Sequence, residues 1–304
     1  MQKLLLILLC PCFLIGQNYT KEIDPLFEAK NYTQAVQKLE VYLSKSPQDL
    51  LLLELMGDAY GFQSNWDKAA AYYEQLCDLA PENATYNYKY GGVLGKLAKE
   101  GSKLKAVGLI SKVKMSFFKA AELDPTHMEV RWAMVELYTQ LPGFLGGSYN
   151  KALVYASELE QFSKLNGYFA KAYIYENSNQ EDLAKTYYKK GLESLEELAF
   201  FQSDGSKETY INTHYNSLHF LVAKACVVHN TQLSLGHHYL QVYIDDFSSK
   251  DNEPLEVAYV LQAQLFKLQK NPPEALNSIE KALSIKPDFK SALEEKQLIL
   301  LLKP

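Results

Sequence analysis

The chain has 304 residues, 47% of them hydrophobic and 22% charged, which is enough apolar surface to bury a continuous core and too much for a disordered polymer. Its 31 basic and 36 acidic residues leave a net charge of -5, and Arg131 is the sole arginine, so a basic stripe that neutralises phosphates is missing and nucleic-acid binding is disfavoured. Length alone suggests two globular domains, a rule that an elongated array of repeats escapes.

At the start, Met1-Gln2-Lys3 is followed by an apolar run from Leu4 to Ile15, then Gly16 and the polar Gln17-Asn18. A charged start, a short apolar stretch and a small residue read as a secretory signal over residues 1-16, removed near Gly16. The run is too short for a transmembrane helix, which takes ~20 residues. The expectation is a chain exported to the periplasm or envelope of a bacterium, with no transmembrane segment in its mature form. Cys10 and Cys12 leave with the signal, and the bulky Leu9 and Pro11 before them argue against lipid attachment. Cys77 and Cys226 remain, about 150 residues apart; in an array whose repeats touch only their neighbours they should not meet, so no disulfide is expected. Export without disulfides favours a bacterial envelope over a small, stapled extracellular domain, and lysine in place of arginine with 22 tyrosines suggests an AT-rich bacterial genome.

From residue 17 onward the pattern repeats. Leu53, Met56, Gly57 and Tyr60 lie three and four apart, the Ser64-Asn65 break follows, and Trp66, Ala69, Tyr73, Leu76 and Pro81 continue the spacing. This predicts two antiparallel helices that cross closely at Gly57 and Ala69, flanked by Tyr60 and Tyr73, with the second stopped at a proline that has no amide donor. Thirty-four residues earlier, Tyr32, Ala35 and Pro47 hold the same places as Trp66, Ala69 and Pro81. Near the other end, Tyr259, Ala263, Phe266, Ala275, Ile279, Ala282 and Pro287 repeat the set. The pattern resembles the tetratricopeptide repeat, a 34-residue helix-turn-helix with small, aromatic and proline positions in that order. The resemblance implies an all-α solenoid of helical hairpins over residues 17-304, with well-formed copies at about 50-83 and 256-289.

Looser copies are expected between these two. The third breaks at Lys99-Glu100-Gly101-Ser102 and closes with Phe117, Ala120 and Pro125; the fourth uses Met134, Tyr138, Ala152 and Ala156 around the loop 141-150. The fifth carries Ala172, Tyr175, Ala184, Tyr188 and Gly191, and a divergent sixth runs from about His214 to Phe247. The expected total is about seven hairpins plus a capping helix over 289-303. Leu298 to Leu302 makes that last helix apolar on every side, so it either tucks into the last hairpin or meets another copy of the chain.

Candidate chemistry is sparse. The loop 142-148 is rich in glycine and opens a helix, but no Gly-Lys-Ser/Thr follows and no strand precedes it, so an extended turn is the expectation. His214, His219, His229, His237 and His238 cluster with Cys226, yet the five-residue offset of the first two splays them off one helix face. Neither a nucleophile-base-acid set nor a zinc-protease motif is visible, so no catalytic residue, metal ligand or cofactor is assigned. The expected role is a non-enzymatic scaffold that binds a protein or peptide; an accessory part of an envelope assembly or transport complex, or less readily a metal-binding protein, remain as alternatives.

The resemblance also implies that the first helix of each hairpin lines a concave groove. Glu54, Asp58 and Phe62, then Tyr88, then Glu129, Trp132 and Glu136, and finally Asn166, Phe169, Tyr173 and Glu176 fall on the outward side of those helices. The lining is therefore expected to be acidic and aromatic, to repel a terminal carboxylate, and to bind an extended segment with basic and apolar side chains; the alternative is a solvated acidic face with aromatics that pack between repeats.

Overall fold

The computed structural model of the chain describes residues 12-201 and 216-301. Among these residues it holds fifteen α-helices, one 3-10 turn and no strand. Residues 1-11 of the expected signal, the stretch 202-215 with His214, and residues 302-304 lie outside the described residues. The chain divides into two compact units, residues 1-123 and 124-304.

Unit 1 consists of α1 (Cys12–Glu28), α2 (Tyr32–Leu43), α3 (Leu50–Phe62), α4 (Trp66–Leu79), α5 (Ala84–Glu100) and α6 (Lys103–Leu123). Helix α1 begins upstream of the expected cut at Gly16. The residues after the cut are part of the fold, because Tyr19 and Ile23 are buried and the Tyr19 hydroxyl donates to Asp49 Oδ2 at 2.7 Å.

The repeat period is visible in the helix caps. Asn31 and Asn65 accept from the amides of Gln34 and Lys68 at the starts of α2 and α4, while Asp49 and Asn83 accept from Leu52 and Tyr86 at the starts of α3 and α5. Each cap satisfies an amide that the first turn of a helix leaves without an acceptor. Within each hairpin of this kind, the residue before the cap turns left-handed, Lys30 at φ 53° and Ser64 at φ 57°. The following amide then reaches back to the end of the first helix, Asn65 N to Tyr60 O at 2.9 Å. The close crossing at Gly57 is borne out: a Cβ there would lie 2.8 Å from the Tyr73 ring, so tyrosine fills the space that glycine leaves.

Unit 2 consists of α7 (Met128–Gln140), the 3-10 turn Gly143–Leu145, α8 (Tyr149–Phe162), α9 (Lys164–Asn177), α10 (Glu181–Phe201), α11 (Ser217–His229), α12 (Leu233–Asp245), α13 (Leu255–Leu268), α14 (Pro272–Ile285) and α15 (Lys290–Leu300). The glycine-rich loop is an extended turn, as expected. Gly146 sits at φ 88°, and Ser148 caps α8 by accepting from the Lys151 amide at 3.3 Å. The terminal core contains the residues read from the sequence: Ala263, Ala275, Ile279 and Ala282 are fully buried, with Tyr259, Phe266 and Phe289 packed against them. Helix α15 tucks onto this core through Ala292 and Ile299 and pairs Glu295 with Lys267 at 2.5 Å. Leu298, Leu300 and Leu301 point outward and are exposed.

Candidate functional site

In unit 1 the expected lining residues form one polar cluster. Glu54 and Asp58 stand one turn apart on α3, and Lys89 reaches them from α5, its Nζ donating to Glu54 Oε1 and to Asp58 Oδ2, each at 2.7 Å. From α4 the Tyr73 hydroxyl donates to the other Asp58 oxygen at 2.8 Å. All three charged side chains are roughly four-fifths buried, with 15 to 24% of each still open to solvent. Burial opposes the charge on Lys89, but the charges and hydrogen bonds of Asp58 and Glu54 outweigh it and raise the amine above its ordinary value. Beside the cluster, Phe62 stacks on Tyr32 at 4.7 Å between ring centres and meets Phe27 edge-on at 6.2 Å. Tyr88 is half-buried and tilts against Phe117 at 6.2 Å.

Unit 2 has a second cluster. Glu176 on α9 accepts from the Tyr188 hydroxyl at 2.8 Å and meets Lys224 Nζ of α11 at 2.7 Å. The half-buried Tyr173 accepts from Gln140 Nε2 at 2.8 Å. Its ionisation is pushed up by burial first, then by the charges of Glu136, Glu253 and Glu176. Glu136 accepts from Asn252 Nδ2 at 2.5 Å, so the connection between α12 and α13 lies against α7. Tyr243 fastens that connection by donating to the Glu253 carbonyl at 2.5 Å. Glu129 pairs with His127 Nδ1 at 3.0 Å.

Two features of the expected lining need correction. Trp132 and Phe169 are not on an open surface: they are 1% and 0% exposed. Trp132 Nε1 donates to Asn166 Oδ1 at 2.8 Å inside the core, and Phe169 packs against Tyr188 at 6.1 Å between ring centres. The acidic character is also reduced, because Lys89 and Lys224, neither of them expected on the lining, pair with Glu54, Asp58 and Glu176. Glu54 and Asp58 therefore do not present two bare carboxylates that would repel an anionic end. The Lys89 partnership carried a sequence signal, since Lys89 lies 35 residues after Glu54, one repeat further on.

The described histidines separate. His219 stacks on Tyr239, His229 Nε2 contacts the Lys185 carbonyl at 3.0 Å, and His237 Nε2 contacts Gln269 Oε1 at 3.0 Å. Among the described residues, no group of three metal-binding side chains converges. Cys77 and Cys226 are free thiols, and burial pushes the second up to about 12.

The buried tyrosines give a pH prediction. Burial and nearby carboxylates raise Tyr73 and Tyr188 well above 10, and Tyr19 and Tyr155 to about 12. The folded chain thus keeps protons that an unfolded tyrosine loses near ~10, and their contribution to stability is complete below that pH and lost as pH rises through the folded values. Tyrosinate absorbance should therefore rise in a cooperative step together with loss of helical dichroism above about pH 11. Smooth ionisation of all tyrosines near pH ~10 with the helices intact would contradict the burial seen here.

Models of the tetratricopeptide repeat match the chain at residues 165-194 and 257-289, and a related model of the same repeat matches at 53-83. The three spans fall on the hairpins α9–α10, α13–α14 and α3–α4, so the fifth copy, expected to be loose, also matches the repeat model. Among solved structures the chain is similar to a tetratricopeptide repeat protein from Parabacteroides merdae, with 14% identity, a TM-score of 0.53 and coverage of 93% of this chain and 98% of that one. It is also similar to the APC/C hetero-tetramer Cut9-Hcn1, with 12% identity, a TM-score of 0.56 and coverage of 91% and 48%. At such identities these likenesses speak for the fold. No curated protein matches the chain.

Proposed function

We propose, from the premise that this chain is a tetratricopeptide-repeat protein, that it serves as a non-enzymatic scaffold in the envelope of a bacterium, where it binds an extended partner segment carrying basic and apolar side chains. The fold itself implies protein–protein interaction. The observation that carries the finer reading is the Glu54–Asp58–Lys89 cluster: two carboxylates share one amine, so the cluster holds one more negative charge than positive and remains partly open to solvent. Phe62 and Tyr88 add aromatic surface on the same two helices. A lysine or arginine of the partner would share the carboxylates with Lys89, and its apolar neighbours would pack on those rings. The charged, apolar and small residues at the start of the sequence support export. Among the described residues, no helix is long and apolar enough to cross a membrane.

Cross-linking the tagged chain in its native envelope, followed by mass spectrometry, tests this reading. The expected result is one dominant partner joined to α3 or α5 through a basic segment, with recovery falling about tenfold or more in Glu54→Gln/Asp58→Asn, the weight of a charged contact of ~1.4 kcal/mol. Unchanged recovery would sink the carboxylate reading. A partner that belongs to a membrane complex would make the chain an accessory of envelope assembly or transport. Capture of its own chain alone would instead point to self-association through the exposed leucines of α15.

Lys89→Met gives a further expected outcome. It takes the Lys89 cation from between Glu54 and Asp58, at a cost of about 2 kcal/mol, below the ~3–5 kcal/mol of a fully buried pair because some solvent reaches the site. Urea unfolding should show that loss, and Lys89→Met combined with Glu54→Gln should recover part of it. A basic peptide should bind Lys89→Met more tightly than the unaltered chain.

A further inference from the structure

Helix α6 turns an uncharged stripe to solvent. Leu104, Val107, Met115 and Phe118 are 85, 50, 62 and 44% exposed, and Gly108 and Ser111, also exposed, lie between them. On a helix of 100° per residue these six positions fall within about a third of the circumference, an uncharged face that ends at the exposed Glu122, one turn beyond Phe118 on the same side. The opposite face is the one that packs in the fold: Ile110, Val113, Phe117 and Ala120 are buried in unit 1. The stripe is therefore additional to the residues that hold the helix in place.

Lysines border it. Helix α6 carries five lysines and one glutamate, in a chain whose net charge is -5. Lys105 and Lys112 lie along one edge and meet Asp67 and Glu74 at 3.0 and 3.5 Å. Both pairs are well exposed, so they contribute little and exchange readily for another anion. Lys114 lies along the other edge. An exposed apolar stripe bordered by lysines, on a helix not apolar enough to cross a bilayer, has the chemistry of an interfacial segment: the apolar side chains enter the headgroup boundary and the amines meet anionic headgroups.

We infer that α6 docks unit 1 onto an anionic membrane surface through Leu104, Val107, Met115 and Phe118. Charge decides for lipid over a second copy docked through the same face, since that pairing would bring the five lysines of α6 against their own counterparts, whereas anionic headgroups complement them.

The test uses the full chain and sedimentation with vesicles of phosphatidylcholine alone or with about one third phosphatidylglycerol, near the anionic content that gives a strong surface potential. The chain should pellet with the anionic vesicles and stay in solution with neutral ones, and binding should fall severalfold when salt rises from about 0.1 to about 0.5 M. Leu104→Ser/Met115→Ser should lower the bound fraction about tenfold while helical dichroism is unchanged, because both side chains are exposed and neither belongs to the core. Comparison with the unaltered chain cancels any contribution from the apolar run at residues 4-15. Equal sedimentation of the variant, or no sedimentation with anionic vesicles at low salt, overturns the inference. So does a concentration-dependent mass that the same variant abolishes, because that result would assign the stripe to a second copy.

Discussion

Truncating Trp132 to alanine is expected to cost about 3–5 kcal/mol, as the removal of a large, fully packed aromatic does when its surroundings only partly collapse. The indole is 1% exposed and spans from α7 to α9, where Nε1 donates to Asn166 Oδ1 at 2.8 Å. The truncation therefore opens a cavity and also takes the donor from a buried amide oxygen. Trp132→Phe separates these effects: the ring keeps much of the volume, the amide oxygen still loses its donor, and about 1–3 kcal/mol should go. Urea unfolding followed by helical dichroism measures both variants. A loss below about 1 kcal/mol for the alanine variant, together with weakened partner binding, would return Trp132 to the groove lining.

That residue also marks where the sequence was legible and where it was not. Trp132 and Asn166 are 34 residues apart, as are the caps Asn31 and Asn65, so the period that locates the hairpins also locates this hydrogen bond. Apolar spacing gives the helices and their packed stripe because burial is periodic along a helix. It does not tell an aromatic at the edge of that stripe whether it faces solvent or the next first helix. Trp132 and Phe169 pack inward for that reason, whereas Tyr173 remains half-buried.

Charge misled in a related way. Glu54 and Asp58 read as an acidic face when α3 is taken alone, and the amine that pairs with them comes from the following repeat. Lys224 reaches Glu176 across 48 residues and Asn252 reaches Glu136 across 116, separations that follow no repeat period, so one sequence gave no sign of either. The expected partner chemistry is correspondingly narrower than a bare acidic groove: a cation must compete with Lys89 in unit 1 and with Lys224 in unit 2.

Gly167→Ala is expected to be as damaging as any substitution in unit 2, with a loss of about 3 kcal/mol or more, at the upper end of what overpacking costs. Helices α8 and α9 are joined by Ser163 alone, which ends the first and caps the second by accepting from the Asn166 amide at 3.3 Å. So short a joint forces the first turn of α9 onto the last turns of α8. A Cβ at Gly167 would lie 2.3 Å from Glu160 Cβ, 2.4 Å from its Cα and 2.6 Å from its N, and main-chain atoms cannot swing away as the tip of a long side chain can. Gly108→Ala is the control, since a Cβ there meets nothing within 4 Å, and the better helix propensity should add up to about 1 kcal/mol. Urea unfolding of the two variants should move in opposite directions; equal shifts would mean that the α8–α9 joint is looser than its geometry requires. The functional consequence follows from what α9 carries. Its first turn also supplies Asn166 to Trp132, and its later turns hold Tyr173 against Gln140 and Glu176 against Lys224. If Gly167→Ala tilts α9 away from α8 without unfolding unit 2, these three contacts should weaken together, and partner binding at this face should fall even though none of the residues that make them has been changed.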